Sequence, residues 1–220
     1  MIINLTEAQV NSLGTLVHAA SKDDATPIIT GVKITAEDNR LTAIATDRYK
    51  IVELGFDLVD DQTVLEKQEY IIPGKNLAEI AKSLRAAKPL KGNDLAVAGF
   101  NFEESALSVT YLPENRPLGG SVYLSGNFPP VERLLNGWEE GGFDGGMTLN
   151  PKLIADIAKI FPPAEVNTQK KAELPLQFHP GGASEHNPKK PNPLKVLRPG
   201  VPEEDFRALL QPNLTLDSRR

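Results

Sequence analysis

The feature that most constrains the fold of this 220-residue chain is an internal repeat. The segments KNLAEIAK, residues 75–82, and KLIADIAK, residues 152–159, are identical at five of their eight positions, and a sixth position exchanges Glu79 for Asp156. Each segment directly follows a short stretch with strand character, YIIPG or MTLN, and has apolar residues at helical spacing. Repetition on this scale indicates one supersecondary unit that stacks on copies of itself.

The sequence around these helices extends the repeat into three strand–helix–three-strand units. In the first unit, Thr6 and Gln9 predict a capping box for a helix that ends near Ser21, and three alternating segments after it predict an antiparallel meander. In the second and third units, a short strand precedes the repeated helix and three segments with strand character follow it. This order predicts an α+β fold made of antiparallel sheets and helices.

Composition sets the predicted domain boundaries. Two units fill residues 1–126, which we predict to form one complete domain. Residues 127–145, NFPPVERLLNGWEEGGFDG, are rich in Pro and Gly and predict a connector that crosses the surface. Residues 146–220 then hold a shortened second domain, with a strand at MTLN, a helix from Pro151 and a polar loop, GGASEHNPKKPN, between two later strands.

Charge is distributed unevenly along the chain. The net charge is −5, from 24 basic and 29 acidic residues, whereas proteins that bind nucleic acid by electrostatics alone are usually basic. Segment 74–92 departs from this average, because it carries five basic residues against Glu79 alone, a local charge of +4. If the protein binds DNA, its positive charge must therefore be confined to one surface.

The two repeated helices concentrate basic residues on one side. An exposed lysine face is ordinary for a solvated helix, and it also suits sequence-independent contact with DNA phosphates, so the residues alone leave both interpretations open. Glu79 and Asp156 are spaced for intrahelical ion pairs with these lysines. The basic faces carry Lys75, Lys82, Arg85, Lys152 and Lys159, and the opposite apolar faces carry Leu77, Ile80, Leu84, Ile154, Ile157 and Phe161.

The sequence contains no recognisable motif for catalysis, metal binding or a cofactor. It has no cysteine, which excludes disulfides and thiolate catalysis, and its histidines, His18, His179 and His186, are too few for a metal site. Gly74-Lys75 lacks the first glycine and the Ser or Thr of a phosphate-binding P-loop. We therefore predict that the protein is not an enzyme. Without a membrane-length apolar run or a basic N-terminal signal region, we expect it in the cytoplasm.

Several segments carry motifs in a characteristic order. They are PIITGVKITAEDNRLTAIATDRYKIVE, then YIIPGKNLAEIAK, NFPPVERLL, MTLNPKLIADIAK and finally FRALLQPNL. They resemble segments of the bacterial DNA polymerase III β subunit, the DNA sliding clamp, with its P-x-L-x-G, T-D-x-x-R-L, F-P-D-Y-x-R-L-I/V-P and V-x-M-P-M-R-L motifs. The resemblance covers most of the chain, and a short, divergent, cysteine-free sequence suits a phage-encoded member.

The resemblance implies a DNA-clamp fold. In that fold antiparallel sheets form the outside of a ring, and helices line a central hole that holds duplex DNA without sequence preference. Such a clamp performs no chemistry and needs no cofactor, because it is a processivity factor that tethers a polymerase to DNA. The DNA-facing residues that the resemblance implies are Lys75, Lys82, Arg85, Lys88, Lys152 and Lys159.

The resemblance also implies a cleft that binds short peptide motifs of DNA polymerases and clamp loaders. Lys50 stands where the family usually has Arg, and Gln211 where it often has Met, which bears on the peptide motif that is preferred. Without the resemblance, the apolar members would be interpreted as an interdomain core. Carried over by position, the cleft residues are Ile29, Gly31, Thr46, Arg48, Tyr49, Lys50, Ile51, Pro129, Leu134, Leu209, Gln211 and Pro212.

The number of units bears on how a ring could close. A typical clamp chain has six units and closes as a dimer, whereas this sequence has three. The resemblance therefore predicts a homo-oligomeric ring, a tetramer, or a trimer if the last segment forms a fuller domain. The alternative is a clamp-derived adaptor that binds peptides without encircling DNA.

Overall fold

The structure is a computed structural model, which describes residues 1–59, 62, 64–87, 95–142, 147–166, 173–184 and 187–213. Its helices are α1 (Glu7–Thr15), α2 (Gly74–Ala86), α3 (Glu132–Asn136), α4 (Pro151–Ala158) and α5 (Pro163–Val166). Its strands are β1 (Ile2–Leu5), β2 (Gly31–Asp38), β3 (Arg40–Thr46), β4 (Lys50–Asp57), β5 (Val64–Pro73), β6 (Ala98–Phe102), β7 (Ala106–Tyr111), β8 (Arg116–Val122), β9 (Gln177–His179), β10 (Ala183–Ser184), β11 (Asn187–Pro191), β12 (Leu194–Leu197) and β13 (Phe206–Leu210).

The first two units interlock by exchanging their first strands. Strand β1 pairs with β6 in the four-stranded sheet β1-β6-β7-β8, although it precedes α1 in the chain. Strand β5, which leads into α2, pairs instead with β2 and so joins the strands that follow α1. Each of the two units therefore supplies one strand to the sheet of the other.

The third unit extends the larger sheet of the first. Its last strand, β13, pairs antiparallel with β4, from Phe206 opposite Leu54 to Leu210 opposite Lys50. The resulting sheet has seven strands in the order β5-β2-β3-β4-β13-β12-β9. All of its neighbouring pairs are antiparallel, in agreement with the predicted fold class.

The main core lies between the sheets and the helices. The predicted apolar face of α2 is buried, since Leu77, Ile80 and Leu84 are at most 2% exposed. Helix α1 packs closely against α2, because a Cβ atom built on Gly14 would lie only 2.6 Å from Cβ of Ala81. Glycine at this position therefore sets the distance between the two helices.

A buried arginine, Arg198, joins the end of α4 to the segment that follows β12. The guanidinium group of Arg198 is fully buried, and it donates hydrogen bonds to the carbonyls of Ala158 and Ile160 at 3.1 and 2.8 Å. It also pairs with Glu165 at 3.0 Å. Burial lowers the pKa of Arg198, and the negative charge of Glu165 opposes this shift. The last carbonyls of α4 thus find donors within the protein.

Local sequence signals predicted the first helix in part. Thr6 and Gln9 form the predicted capping box at the start of α1. The helix ends at Thr15, earlier than predicted, because Leu16–His18 tighten into a 3₁₀ turn. The predicted strand at residue 27 also begins as a 3₁₀ turn, Pro27–Thr30, since proline fixes its own φ and lacks an N–H for strand pairing.

Other predicted boundaries differ in the third unit. The predicted strand MTLN forms only an isolated bridge, between Thr148 and Asn213. The segment 181–192, predicted to be a polar loop, contains the short strand pair β10–β11. The first difference depends on a distant segment that lies alongside, which no local pattern encodes. The predicted connector also contains a helix, α3, because its apolar residues pack against the large sheet.

Candidate functional site

The turn between β3 and β4 has a dense set of hydrogen bonds. The carboxylate of Asp47 accepts from the backbone N–H groups of Tyr49 and Lys50 at 3.1 and 3.0 Å. The hydroxyl of Thr46 donates to the carbonyl of Lys50 at 2.8 Å and accepts from the N–H of Arg48 at 3.3 Å. Arg48 has a φ of 77°, a left-handed conformation that tertiary contacts must stabilise. The turn holds Tyr49 with 61% of its surface exposed.

Strand β4 divides the predicted cleft residues between the two faces of the large sheet. Successive side chains of a strand point to opposite faces, so Lys50 shares a face with Val52 and Ile51 occupies the other. Val52 belongs to the main core, whereas Ile51 lies in a separate apolar cluster. Leu209 of β13 lies opposite Ile51 in register and belongs to the same cluster. We call the face with Ile51 and Leu209 the outer face.

The connector packs on the outer face through α3. Apolar side chains of the connector and of the sheet are buried against each other there and so removed from water. No other described element covers this side of the sheet. The residues that form the outer cluster are Ile44, Ile51, Val131, Leu135 and Leu209, with Phe128 and Trp138 packed against them.

Polar contacts fasten both ends of α3 to the sheet. The ammonium group of Lys33 on β2 pairs with Glu132 at 2.6 Å. At the other end, the guanidinium group of Arg207 on β13 donates to Oδ1 of Asn136 at 2.8 Å. Helix α3 therefore spans the sheet from β2 to β13 and presents Leu134 outward, with 57% of its surface exposed.

The end of β13 lies beside the β3–β4 turn. The N–H of Gln211 donates to the carbonyl of Tyr49 at 2.9 Å, so these two predicted cleft residues are in contact. Pro212 is buried next to them, and Pro129 of the connector is half-buried. The structure thus brings the turn, the end of β13 and the connector to one side of the molecule.

Ile29 and Gly31 lie at the start of β2 and are both buried. A Cβ atom on Gly31 would lie 2.6 Å from Cγ2 of Ile71 and 2.8 Å from Cδ1 of Leu124, so no side chain fits there. Within the described residues, neither Ile29 nor Gly31 belongs to the outer cluster that contains Ile51. Their predicted place in the wall of the cleft stays a prediction.

The predicted lysine faces of α2 and α4 are exposed. Lys75, Lys82, Lys152 and Lys159 all have exposed side chains, and in the described part of the chain none of their ammonium groups has a hydrogen-bond or ion-pair partner. Arg85 differs, because its guanidinium group donates to Oδ1 of Asn11 on α1 at 2.7 Å. The predicted residue Lys88 lies outside the described residues.

Lys22 joins the lysine face, although its position near the end of the first helix gave it no predicted role. It lines a cavity of about 210 Å³ with Lys75 and a larger cleft with Lys152. Helix α1 packs against both α2 and α5, which brings the turn after α1 between the two repeated helices. A basic residue in that turn could have been identified from sequence only by knowing this packing.

The predicted intrahelical ion pairs are not formed. Asp156 pairs with Lys50 at 3.5 Å, and not with Lys152 or Lys159. Glu79 is exposed and forms no ion pair among the described residues. The β3–β4 turn brings the buried Lys50 ammonium group to α4, where it competes for Asp156 against water-exposed lysines. The prediction was wrong because it considered each helix in isolation.

A cleft of about 560 Å³ lies between the β3–β4 turn, the turn after α1 and the start of α4. Lys22, Arg48 and Lys152 line it, together with His18. Burial lowers the pKa of His18, and the positive charge of Lys159 lowers it further. The imidazole therefore stays uncharged at neutral pH, and the cleft's positive charge comes from lysine and arginine.

Among the described residues, no group of three or more His, Asp or Glu side chains is arranged to hold a metal ion. In the same residues, no helix combines the length and apolar character that are needed to cross a bilayer.

Comparison with known proteins gives a consistent match. The model of the DNA polymerase III β subunit central domain matches residues 6–102. The β sliding clamp of Micrococcus luteus is 30% identical over 129 residues, which are 58% of this chain and 38% of the relative. The β sliding clamp of Halalkalibacterium halodurans is 34% identical over 68 residues, or 31% of this chain and 18% of the relative.

Solved structures show the same fold at lower sequence identity. A chain from Eubacterium rectale, named as a DNA polymerase III β subunit, superposes with a TM-score of 0.66 and 14% identity, over 97% of this chain and 65% of that chain. The DNA polymerase sliding clamp from Bacillus subtilis gives a TM-score of 0.58 and 16% identity, over 98% of this chain and 64% of that chain.

This chain spans about two fifths of the length of the curated Micrococcus luteus relative, 38%, and 65% of the Eubacterium rectale chain. The matches to the family model, to the curated clamps and to the solved clamps agree in kind. Residues 6–102 are thus similar to the central domain of the DNA polymerase III β subunit, and the chain shares the fold of the DNA sliding clamps.

Proposed function

We propose that this chain is a sliding-clamp subunit, a polymerase processivity factor that encircles duplex DNA and binds short peptide motifs of replication proteins. The observation that supports this most directly is the exposed lysine face of α2 and α4 in a protein with a net charge of −5. The match of residues 6–102 to the clamp family model and the shared fold support the same proposal.

The lysine face has the properties that a sliding contact needs. Flexible ammonium groups without fixed partners bind phosphates as point charges and do not select a base sequence. Acidic residues elsewhere repel DNA and so restrict it to this face. Because each contact is weak and exchangeable, the duplex can move past the lysines while it stays enclosed.

The outer face supports the peptide-binding part of the proposal. Leu134, on the helix that covers the apolar cluster around Ile51 and Leu209, has an exposed side chain, and so does Tyr49 of the β3–β4 turn. An apolar floor with exposed anchoring side chains suits a short linear motif with hydrophobic residues. Gln211, which is hydrogen-bonded to Tyr49, provides a polar group that fixes the register of a bound peptide.

Retention on DNA of different topology tests the clamp function. The protein would be loaded on nicked circular DNA with a bacterial clamp loader, and its release would be followed after the circle is linearised. A clamp leaves linear DNA by sliding off its ends, so release should follow linearisation and should stop when both ends are blocked. Retention that is the same on circular and linear DNA would contradict encirclement.

Peptide binding is tested with the L134D variant. The probe is a fluorescent peptide that contains the clamp-binding motif of a bacterial polymerase III, and the measurement is its dissociation constant. Because Leu134 is already 57% exposed, L134D should fold normally and weaken peptide binding by about tenfold or more, as expected for an apolar anchor. The control is L112D, at a leucine that is 40% exposed on a different turn.

One observation favours a second candidate, the clamp-derived adaptor that does not encircle DNA. The last strand of the third unit, β13, pairs with β4, whereas the last strand of the second unit, β8, lies at the edge of its sheet. A ring that used this same β13–β4 pairing between chains would need β4 of each chain to have a free edge. Within the described residues β4 is paired on both sides, with β3 and β13.

Solution mass separates the two candidates. A homo-oligomeric ring predicts a trimer or tetramer at micromolar concentration, measured by light scattering. The adaptor predicts a monomer that still binds the probe peptide. A monomer that becomes part of a ring only with a different clamp chain would place this protein in a mixed assembly.

A further inference from the structure

The side chain of Lys50 is nearly inaccessible to solvent. It is only 2% exposed, and its ammonium group pairs with the carboxylates of Asp47 and Asp156, the latter at 3.5 Å. A buried ammonium group is costly unless it is paired and hydrogen-bonded, so these carboxylates determine where it lies. The position carried over from the family as a cleft residue therefore does not present its charge to solvent here.

The register of the sheet explains this orientation. Lys50 lies opposite Leu210 of β13, and Leu210 belongs to the main core beneath the helices. Ile51 and Leu209 are the next register pair, and both lie in the outer cluster. Because successive pairs point to opposite faces, the Lys50 side chain is separated from the outer apolar surface by the sheet itself.

The ion pair joins two parts of the molecule. Asp47 lies in the β3–β4 turn, and its carboxylate also accepts the N–H groups of Tyr49 and Lys50. Asp156 lies on α4 of the third unit, with a side chain that is 14% exposed. Lys50 thus connects the turn that carries Tyr49 to the helix that carries Lys152 and Lys159.

We propose that Lys50 is a positioning residue for the peptide cleft, which latches the β3–β4 turn to Asp156 of α4 and does not contact the peptide. This inference rests on the proposed peptide-binding function. The family usually has Arg where this chain has Lys50, and this difference then affects how the β3–β4 turn is held. The residues of the outer face, and not Lys50, set which peptide motif is preferred. The latch also joins the cleft to a helix of the lysine face.

A double-mutant cycle with K50M and D156N tests the latch, again with the fluorescent polymerase III motif peptide. If Lys50 acts by position, each single variant weakens binding, by about tenfold for a displaced turn, and the double variant weakens it no further than the stronger single variant. The conservative variant K50R retains binding. The control K67M, at a lysine of β5 whose side chain is 51% exposed, leaves it unchanged.

A direct contact between Lys50 and the peptide predicts a different pattern. D156N would then free the ammonium group, so peptide affinity would stay the same or increase. The double variant would not match the stronger single variant. That result would overturn the proposal. D156N is the milder variant, because Lys50 keeps Asp47 as a partner, and thermal melting of each variant checks that it is folded.

Amide hydrogen exchange measured without peptide tests the latch independently of the proposed peptide-binding function. The latch predicts faster amide exchange in the β3–β4 turn of D156N and in α4 of K50M. If the wild-type protein does not bind the peptide but exchange changes in this reciprocal way, the peptide-binding function fails and the latch stands. If exchange in both segments is unchanged in the variants, the latch is wrong whatever the peptide result.

Discussion

The hydroxyl of Ser12 on α1 donates a 2.6 Å hydrogen bond to the carbonyl of Phe161, which follows α4 and lies 149 residues later in the chain. The N–H of Phe161 in turn donates to the hydroxyl of Thr15, one turn further along α1, at 3.3 Å. This reciprocal pair joins the first and third units on the helix side, as the β4–β13 pairing joins them in the sheet. The lysines of α2 and those of α4 are therefore held at fixed positions relative to one another.

The Ser12 contact predicts a measurable loss of stability in the S12A variant. Ser12 is completely buried, so S12A leaves the carbonyl of Phe161 without this donor. We expect the free energy of unfolding to fall by about 1–3 kcal/mol, the usual cost of a buried polar group that loses its partner. Urea denaturation measures it. The control S83A, at a half-buried serine on α2, should change it by less than about 0.5 kcal/mol.

The close approach of α1 and α2 predicts that G14A destabilises the protein. The new Cβ atom would lie 2.6 Å from Cβ of Ala81, a distance that forces the helices apart. Overpacking of this kind costs about 1–3 kcal/mol, which exceeds the gain of about 1 kcal/mol in helix propensity. The double variant G14A/A81G moves the methyl group to the other helix and should recover most of the loss. Equal melting temperatures for G14A and the wild type would contradict this packing.

The buried ion pair at the end of α4 predicts a strong effect of R198M. Its removal leaves Glu165 without its cation and the carbonyls of Ala158 and Ile160 without this donor, so we expect a loss of about 3–5 kcal/mol in unfolding free energy. R198M/E165Q should be more stable than R198M, because it also removes the unpaired carboxylate. R133M, at an exposed arginine of α3, is the matched control. No gain from E165Q would show that Glu165 is not the partner that matters.

His18 predicts one component of the pH dependence of stability. Burial and Lys159 lower the pKa of His18 in the folded protein, with further lowering by Lys22 and Lys50, while Asp156 acts in the opposite direction. The unfolded chain therefore takes up the proton first, and stability from this group is complete above the ordinary pKa of about 6.5 and falls as the pH drops below it. H18Q should lose stability less steeply than the wild type from pH 7 to 5. Parallel curves would exclude this role for His18.

Local patterns in the sequence predicted elements whose stability is local. The capping box of Thr6 and Gln9 and the buried face of α2 follow from residues within one or two helical turns. The orientation of Lys50 could not be predicted in the same way, because the side on which it lies depends on β13 pairing with β4 from more than 150 residues away. A shift of one residue in that register would exchange Lys50 and Ile51 between the faces.

The role of Lys22 also depends on contacts between distant parts of the chain. Its neighbours Lys75 and Lys152 come from different units, and only the packing of α1 beside α2 and α5 brings them near it. The predicted intrahelical pairs of Asp156 and Glu79 were lost for a related reason, since a buried cation from the β3–β4 turn reaches Asp156. The motif-based resemblance predicted the fold class and the similarity to the sliding clamps, and tertiary contacts determine which residues are available to bind.

The most direct test of the central claim is the affinity for duplex DNA of a K75E/K82E/K152E/K159E variant as a function of salt concentration, measured by fluorescence anisotropy. The control K67E changes a lysine of β5 whose side chain is 51% exposed and which pairs with Glu69 at 3.0 Å. If the faces of α2 and α4 hold DNA, the quadruple variant loses nearly all binding at low salt, K67E binds like the wild type, and the wild-type affinity falls steeply with salt. Binding by the quadruple variant that equals that of K67E at low salt would contradict the account.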